Sequence, residues 1–418
     1  MKVFKFGGAS VKDAASVRNV AQIIQSFKEE HLVVVVSAMG KTTNAFEEVL
    51  SLFFNRSEKA FDKLEGIKQF HFQICKELFQ NEDDPIFSDL HNTFVEAEWQ
   101  LEDEPVGTYD FEYDQLIGLG EQLSTKIVAA YLKSVGLNNL WLDARDVIRT
   151  DNTYRKASVD WNETERLIQE RISKAKENII ISQGFIGSSS ENFTTTLGRE
   201  GSDFSAAIFA STLNAKEITI WKDVEGMLNA DPKYYSNTVK LDNISYKEAV
   251  ELAYFGASVI HPKTIKPLQN KNIPLYVKSF LHPEKEGSLI DQNSDGDANV
   301  PSYIHKENQM LISISSKDYA FMDEVKLARI FTLFSSYGLT VNIMQNSAIS
   351  FSVALDYQKE KIDQFMLELK EEFLVSYNLG ATLVTVQHFT EKLLANLLDG
   401  KTILMEQKTR STARFVII

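Results

Sequence analysis

The run Leu32-Val33-Val34-Val35-Val36 constrains this chain more than any other feature in it. It has no polar position on either face and four of its five side chains are β-branched, so it reads as a strand buried on both sides. Such a strand belongs in a parallel sheet flanked by helices. Lys2 to Phe6 is a second β-prone run, and between the two Val17, Val20, Ile23, Ile24 and Phe27 recur at helical spacing, which makes a β-α-β unit. Residues 45–123 read as mostly helical, and further strands are predicted at Leu140–Leu142, Ile179–Ser182, Glu217–Trp221 and Leu275–Val277, with helical segments between them. The expected class is α/β, a three-layer α/β/α arrangement around a mostly parallel sheet.

From Leu281 to Tyr303 the composition turns to Pro, Gly, Ser, Asn and Asp, which reads as a linker and divides the chain into domains at 1–290 and 305–418. Beyond it come a strand at Met310–Ser315, a helix at Asp323–Ser336, strands at Leu339–Met344 and Ile349–Leu355, and a helix at Lys359–Phe373. That is the order of a ferredoxin-like regulatory module. Ala381–Gln387, Glu391–Leu398 and Arg414–Ile418 read as a second, shortened copy.

A chain of 418 residues with 44% hydrophobic and 24% charged residues buries a large core without covalent staples. The net charge of -14 excludes nonspecific binding to nucleic acid, whose phosphates demand a positive face. Its apolar runs are far too short to cross a bilayer. Cys75 stands alone and the first residues lack the pattern of a secretory signal, so a reducing cytoplasm is expected.

Chemistry concentrates in a few turns. Lys5 precedes Gly7-Gly8-Ala9-Ser10, where glycines let backbone N–H groups approach a phosphate and the lysine meets its charge. By itself this is also ordinary turn chemistry, and it matches neither a Walker loop nor a dinucleotide fingerprint. Ser37 to Asn44 is a hydroxyl-rich loop at the carboxyl end of the buried strand, where open parallel sheets bind ligands. Leu197 to Ser205 places Arg199, Ser202 and Asp203 in a glycine-flanked turn before a helix predicted at Ser205–Ala215. The arginine suits a carboxylate, the helix start favours an anion, and the aspartate can organise reacting groups. Lys222-Asp223 and Ala230-Asp231-Pro232-Lys233 are placed to flank a nucleotide, although Asp223 and Asp231 singly read as turn and cap residues.

Read together, four blocks in order resemble the aspartate kinases of the amino-acid kinase family: Lys5-Phe6-Gly7-Gly8-Ala9-Ser10-Val11, Gly118-Leu119-Gly120-Glu121-Gln122-Leu123-Ser124, Thr194 to Asp203, and Phe255 to Pro262. The resemblance implies an amino-acid kinase fold followed by tandem ACT modules. It also implies transfer of the γ-phosphoryl of MgATP to the β-carboxylate of L-aspartate, the first step toward lysine, threonine and methionine. Lys5 and Asp203 would then be catalytic, and Ser37, Thr43, Glu121, Arg199 and Ser202 would hold aspartate. Lys5, Gly7, Gly8, Ser10, Lys222, Asp223, Leu228, Lys233 and Ser258 would hold ATP, with Mg2+ carried mainly on its phosphates. Making an acyl phosphate from an ionised carboxylate needs no general base, so His261 is read as structural.

The chain departs from the family pattern on the nucleotide side. Ala9, Glu200, Lys222, Leu228, Lys233 and Ser258 replace a threonine, glycine, threonine, tyrosine, arginine and lysine respectively. Asn342, Asn346 and Ser347 match the region where family members bind an amino-acid effector. Lysine-sensing relatives carry acids where this chain has Asn342 and Ala348, so a cationic effector would lose partners. The nucleotide-side changes leave a catalytically weakened sensor as one competing reading, and a kinase for glutamate or acetylglutamate as another. A homodimer through the C-terminal modules is expected, because small β-α-β-β units leave sheet edges to cover.

Overall fold

The computed structural model describes residues 1–198, 200–256, 260–318 and 320–418. The chain divides into two compact units, Met1–Met227 with Lys240–Val250 and Val259–Ser294, and Leu228–Val239 with Glu251–Ser258 and Asp295–Ile418.

The first unit is built on strands β1 (Lys2–Phe6), β2 (Leu32–Val36), β3 (Asn139–Leu142), β4 (Ile179–Gln183), β5 (Ile186–Ser188), β6 (Thr194–Thr196), β7 (Ile218–Lys222), β8 (Met227–Leu228, of which only Met227 belongs to this unit), β9 (Lys240–Leu241), β10 (Asn243–Ser245), β11 (Leu275–Ser279) and β12 (Ser288–Asp291). Eight of them form one sheet in the order β10-β12-β11-β7-β1-β2-β4-β3, parallel except between β11 and β12. The hairpin β5–β6 stands apart. Helices α1 (Ala14–Gln25), α2 (Thr42–Phe54), α3 (Lys59–Leu78), α4 (Pro85–Glu102), α5 (Tyr109–Ile117), α6 (Leu119–Ser134), α7 (Trp161–Ser173), α8 (Gly201–Thr212), α9 (Tyr246–Phe255, its residues from Glu251 on belonging to the second unit) and α10 (Pro262–Lys271) follow in chain order. Every residue of β2 is fully buried, as its lack of polar positions requires. Among the described residues no helix is long and apolar enough to cross a membrane.

Helix α8 is buried on nearly every side, and its small residues Ala206, Ala207 and Ala210 let it lie close on β1, β2 and β7 with α10 behind it. It starts at Gly201, four residues before the start expected from the sequence. Gly198 and Glu200 both take positive φ, +87° and +56°, so the chain turns sharply just before the helix and draws Ser202 and Asp203 into its first turn. Another difference lies in the stretch read as a linker, because β12 forms there and pairs with both β10 and β11. Its fully buried Ile290 supplies the apolar contact that averaged composition hides.

The second unit carries one antiparallel sheet, β14-β15-β13-β16-β18-β17, with β13 at Ser302–Ser316, β14 at Val341–Asn346, β15 at Ser350–Asp356, β16 at Phe373–Gln387, β17 at Ile403–Lys408 and β18 at Thr412–Ile417. Helices α11 (Glu324–Ser336), α12 (Lys359–Glu372) and α13 (Glu391–Leu398) accompany it. Register shifts near Gln309 break the long β13–β16 ladder in two. Above the break, β13 lies between β15 and residues 373–378 of β16. Below it, residues 302–306 pair with 383–387, and β16 goes on to pair with β18. Two ferredoxin-like halves therefore share both long strands, and the shortened copy takes its fourth strand from residues upstream of the first. Ile312, Ile314, Val353, Phe365 and Leu369 fill the core under α11 and α12, and Val386, Ala413 and Phe415 fill the one under α13.

Candidate active site

Strand β1 lies at the centre of the first sheet, with Lys5 in register with Val35 of β2 on one side and Ile220 of β7 on the other. Side chains alternate along a strand, so Phe4 and Phe6 share one face and Lys5 leaves from the other, toward α8. Phe6 stacks on the Trp221 ring with centroids 5.9 Å apart, which accounts for that tryptophan as packing. Lys5 is buried, and its Nζ lies 2.6 Å from Asp203 Oδ1 in the first turn of α8. Lys222, at the carboxyl end of β7, brings a second ammonium to within 3.7 Å of Asp203 Oδ2. Burial alone would raise the Asp203 carboxyl, but the Lys5 and Lys222 charges outweigh it and hold the group below its ordinary value. A buried carboxylate with a cation from each of two neighbouring strands is a compact device for collecting positive charge at one end of the sheet.

The turn after β1 meets the loop after β2. A Cβ on Gly8 would lie 2.7 Å from the Ala38 carbonyl oxygen and 2.8 Å from that of Gly40, so only glycine fits. The Gly40 N–H donates to the Gly8 carbonyl at 3.0 Å, and the Ser37 N–H donates to that of Phe6 at 3.0 Å. Ser10 is buried just beyond, its hydroxyl without a hydrogen-bond partner among the described residues. Thr43 stands half-buried in the first turn of α2. Glu121 reaches the same loop from α6, and its Oε1 accepts from the Ala38 N–H at 3.4 Å. Its Oε2 is buried with no partner among the described residues. Burial pushes this carboxyl up to about 8, against the Ala38 N–H, which favours the anion. Its unused oxygen can accept from a cationic group, whose charge would draw the carboxyl into its ionised form.

Ser202 joins from α8. A Cβ on Gly184, the residue after β4, would fall 2.5 Å from Ser202 Cβ, so the end of that strand lies directly against the helix start. The carboxyl ends of β1, β2, β4 and β7 thus converge on one corner, the usual ligand position in an open parallel sheet.

The structure brings Lys5, Asp203 and Lys222 into ion-pair range, and it links Gly8, the Ser37 loop and Glu121 by contact. Asp223 is exposed past the end of β7. Leu228 and Lys233 belong to the second unit, where Lys233 donates to the Tyr234 hydroxyl at 2.7 Å and pairs with Glu307 at 3.4 Å. Arg199 and Ser258 lie outside the described residues. His261 caps α10 by accepting from the Lys263 N–H at 3.2 Å, in keeping with a structural reading. In the second unit, Asn342 donates to Gln309 and Asp356 and accepts from Lys306. Asn346 ends β14, and the Ser347 hydroxyl lies 2.7 Å from that of Ser350. Two participants escaped the sequence reading: the backbone N–H of Ala38 and the bare Cα of Gly184. The second had a signal, a glycine just past a predicted strand, as Gly7 is after the first.

A profile described as the Amino acid kinase family matches residues 1–279. Aspartokinase 1, chloroplastic, of Arabidopsis thaliana is 32% identical over 423 residues, covering 92% of this chain and 71% of that protein. The bifunctional aspartokinase/homoserine dehydrogenase 2, chloroplastic, of the same plant is 31% identical over 90% of this chain, which spans only 42% of its length. Among solved structures, E. coli aspartokinase III in complex with aspartate and ADP superposes with a TM-score of 0.85 at 27% identity, covering 100% of this chain and 96% of that one. With the converging strand ends, these likenesses establish that the chain belongs to the amino acid kinase family, among its aspartokinases.

Proposed function

We propose that this chain is an ATP-dependent aspartate kinase, giving aspartyl phosphate and ADP from L-aspartate and MgATP. The observation that carries the reading is the buried Asp203 carboxylate held between Lys5 and Lys222 at the carboxyl end of the sheet. The likeness to E. coli aspartokinase III, whose structure contains aspartate and ADP, supports it along the whole chain.

In the proposed reaction an oxygen of the aspartate β-carboxylate attacks the γ-phosphorus while the bond to the bridging oxygen breaks and its electron pair leaves with ADP. No proton has to be removed, because the acceptor is already an anion. Lys5 and Lys222 offset the charge of the phosphoryl group, and Asp203 keeps the two ammonium groups together against their mutual repulsion. The Gly7-Gly8 turn and Ser10 line the phosphate path. Ser37, Thr43, Glu121, Arg199 and Ser202 receive aspartate, with Glu121 facing its ammonium group. Asp203 is already engaged by two cations. That set fits Mg2+ arriving on the phosphates, where it would neutralise charge. ADP release measured on aspartate, glutamate and acetylglutamate, against a Lys5→Ala control, tests the reading. Turnover no higher than the control, or preference for another acid, defeats it.

The C-terminal sheet supports two further proposals, an amino-acid effector site and a homodimer. Lysine is present in another structure of E. coli aspartokinase III, similar to this chain with a TM-score of 0.81. Here Asn342 accepts from Lys306, which itself pairs with Asp356 at 3.2 Å, so the carboxylate that a lysine effector could use is already engaged. Strands β14 and β17 are free edges of this sheet, and Met344, Leu374, Tyr377 and Leu379 are exposed on its strands, which suits pairing of two copies. Light scattering on the full chain decides the second proposal, and a monomer at micromolar concentration rejects it.

A further inference from the structure

Asp114 is fully buried on α5, and its charge has no cation of its own in ion-pair range among the described residues, because the Arg155 guanidinium pairs with Asp110 at 3.2 Å. Hydrogen bonds hold it instead. Its two oxygens accept from the Arg155 N–H at 3.1 and 3.0 Å, from the Thr196 N–H at 2.8 Å and from the Thr196 hydroxyl at 2.7 Å. Gln115 beside it completes the grip, donating to the Thr194 carbonyl at 2.9 Å and accepting from the Thr194 N–H at 3.0 Å. One helix turn therefore holds both ends of β6.

What β6 leads into gives this grip its meaning. The chain leaves Thr196, passes Leu197 and Gly198, and enters α8, whose first turn carries Ser202 and Asp203. A Cβ on Gly198 would approach the Arg155 carbonyl oxygen to 3.3 Å, so the turn rests on the same segment that Asp114 holds through the Arg155 N–H. In the other direction α5 runs through Gly118 directly into α6 and Glu121. Asp114 thus joins the helix that leads to Glu121 to the strand that leads to Ser202 and Asp203.

We propose that Asp114 is a positioning residue that fixes the turn bearing Ser202 and Asp203 at its distance from Glu121, through a carboxylate that only accepts hydrogen bonds. The inference rests on the aspartate kinase reading. Asp114→Asn keeps the shape but turns an N–H2 toward N–H donors, and the corner opens. Loosening of this kind costs turnover without global unfolding, since small displacements of reacting groups cost large factors in rate.

The experiment uses the full-length chain. In Asp114→Asn the expected result is a melting temperature within a few degrees of the parent, a rise in KM for aspartate and a fall in kcat of about tenfold or more. Amide exchange should quicken across 194–204 and stay unchanged in β1 and β2. Thr196→Val removes one donor only and should lose about threefold in kcat/KM, with the double variant no worse than Asp114→Asn alone. A folded Asp114→Asn with parental kcat, KM and exchange overturns the proposal. If that variant does not fold, Thr196→Val decides, and parental kinetics there overturn it as well. Failure of the parent chain to phosphorylate aspartate defeats the kinase reading instead, and the exchange comparison still reports whether the lock exists.

Discussion

The Lys5 ammonium stands 2.6 Å from Asp203 Oδ1, joining the central strand to the first turn of α8 through a buried ion pair. Lys222 stands 3.7 Å from the other oxygen of the same carboxylate, so two ammonium groups from neighbouring strands share one buried anion. Lys5→Ala removes the closer cation and is expected to lower kcat by at least about a hundredfold, the scale of losing one preorganised electrostatic contact. Asp203→Asn should match it. Steady-state ADP release is the measurement, and a loss under threefold in either variant would remove the pair from the chemistry.

Glu121 predicts a pH effect whose sign is fixed. Its folded value of about 8 lies above that of an unfolded glutamate, so the native state keeps a proton the unfolded chain has released. The stabilising contribution is fully present below about pH 4.5 and is lost as pH rises through about 8. Glu121→Gln should therefore flatten the fall in melting temperature between pH 5.5 and 8.5 while abolishing aspartate saturation. Parallel melting curves for the two proteins would contradict this.

His71 works in the opposite range. It is fully buried, its Nδ1 lies 2.8 Å from the Ile67 carbonyl oxygen, and its Nε2 has no partner among the described residues. Burial drives its value down to about 4. The unfolded chain takes up a proton near pH 6.5 that the native state refuses, so stability falls as pH drops from 6.5 to 4, by about 3 kcal/mol in the limit. His71→Phe should remove that acid-side slope in urea titrations at pH 7 and pH 5.

Glu200 takes a left-handed backbone at the start of α8, with φ of +56°, where the family pattern has glycine. Glu200→Gly should stabilise the protein by about 1 kcal/mol, because glycine takes that conformation without strain. A lower midpoint in denaturant would show that the side chain contributes more than its backbone costs.

Gly184→Ala would place a methyl group 2.5 Å from Ser202 Cβ. The start of α8 must then shift, and the expected result is a loss of turnover larger than the loss of stability. Melting and kinetics on one preparation separate the two.

The central strands were legible because β2 has no polar residue and β1 and β7 have so few. Lys5 and Asp203 could be named because glycines flank their turns, but their pairing depends on α8 lying against β1, which no local pattern in the sequence shows. The start of α8 was missed because Ser202 and Asp203 look like loop residues until the bend at Gly198 and Glu200 is known. β5 and β6 are three residues each, too short to show a period. Asp114 left no signal, since a lone acid in Tyr113-Asp114-Gln115-Leu116 reads as the wet face of a helix. The fourth strand of the shortened module could not be found by scanning forward from it, because residues 302–306 precede the other module altogether.

That backward borrowing sets an order of assembly. Residues 381–387 cannot complete their ladder until the chain has folded back on a segment synthesised much earlier, with an entire module looped out between them. Closing so long a loop is slow, so the last strands should be the final part of this half to acquire protection during refolding. Neither module can be excised and studied alone, since cutting out one strips a partner strand from the other.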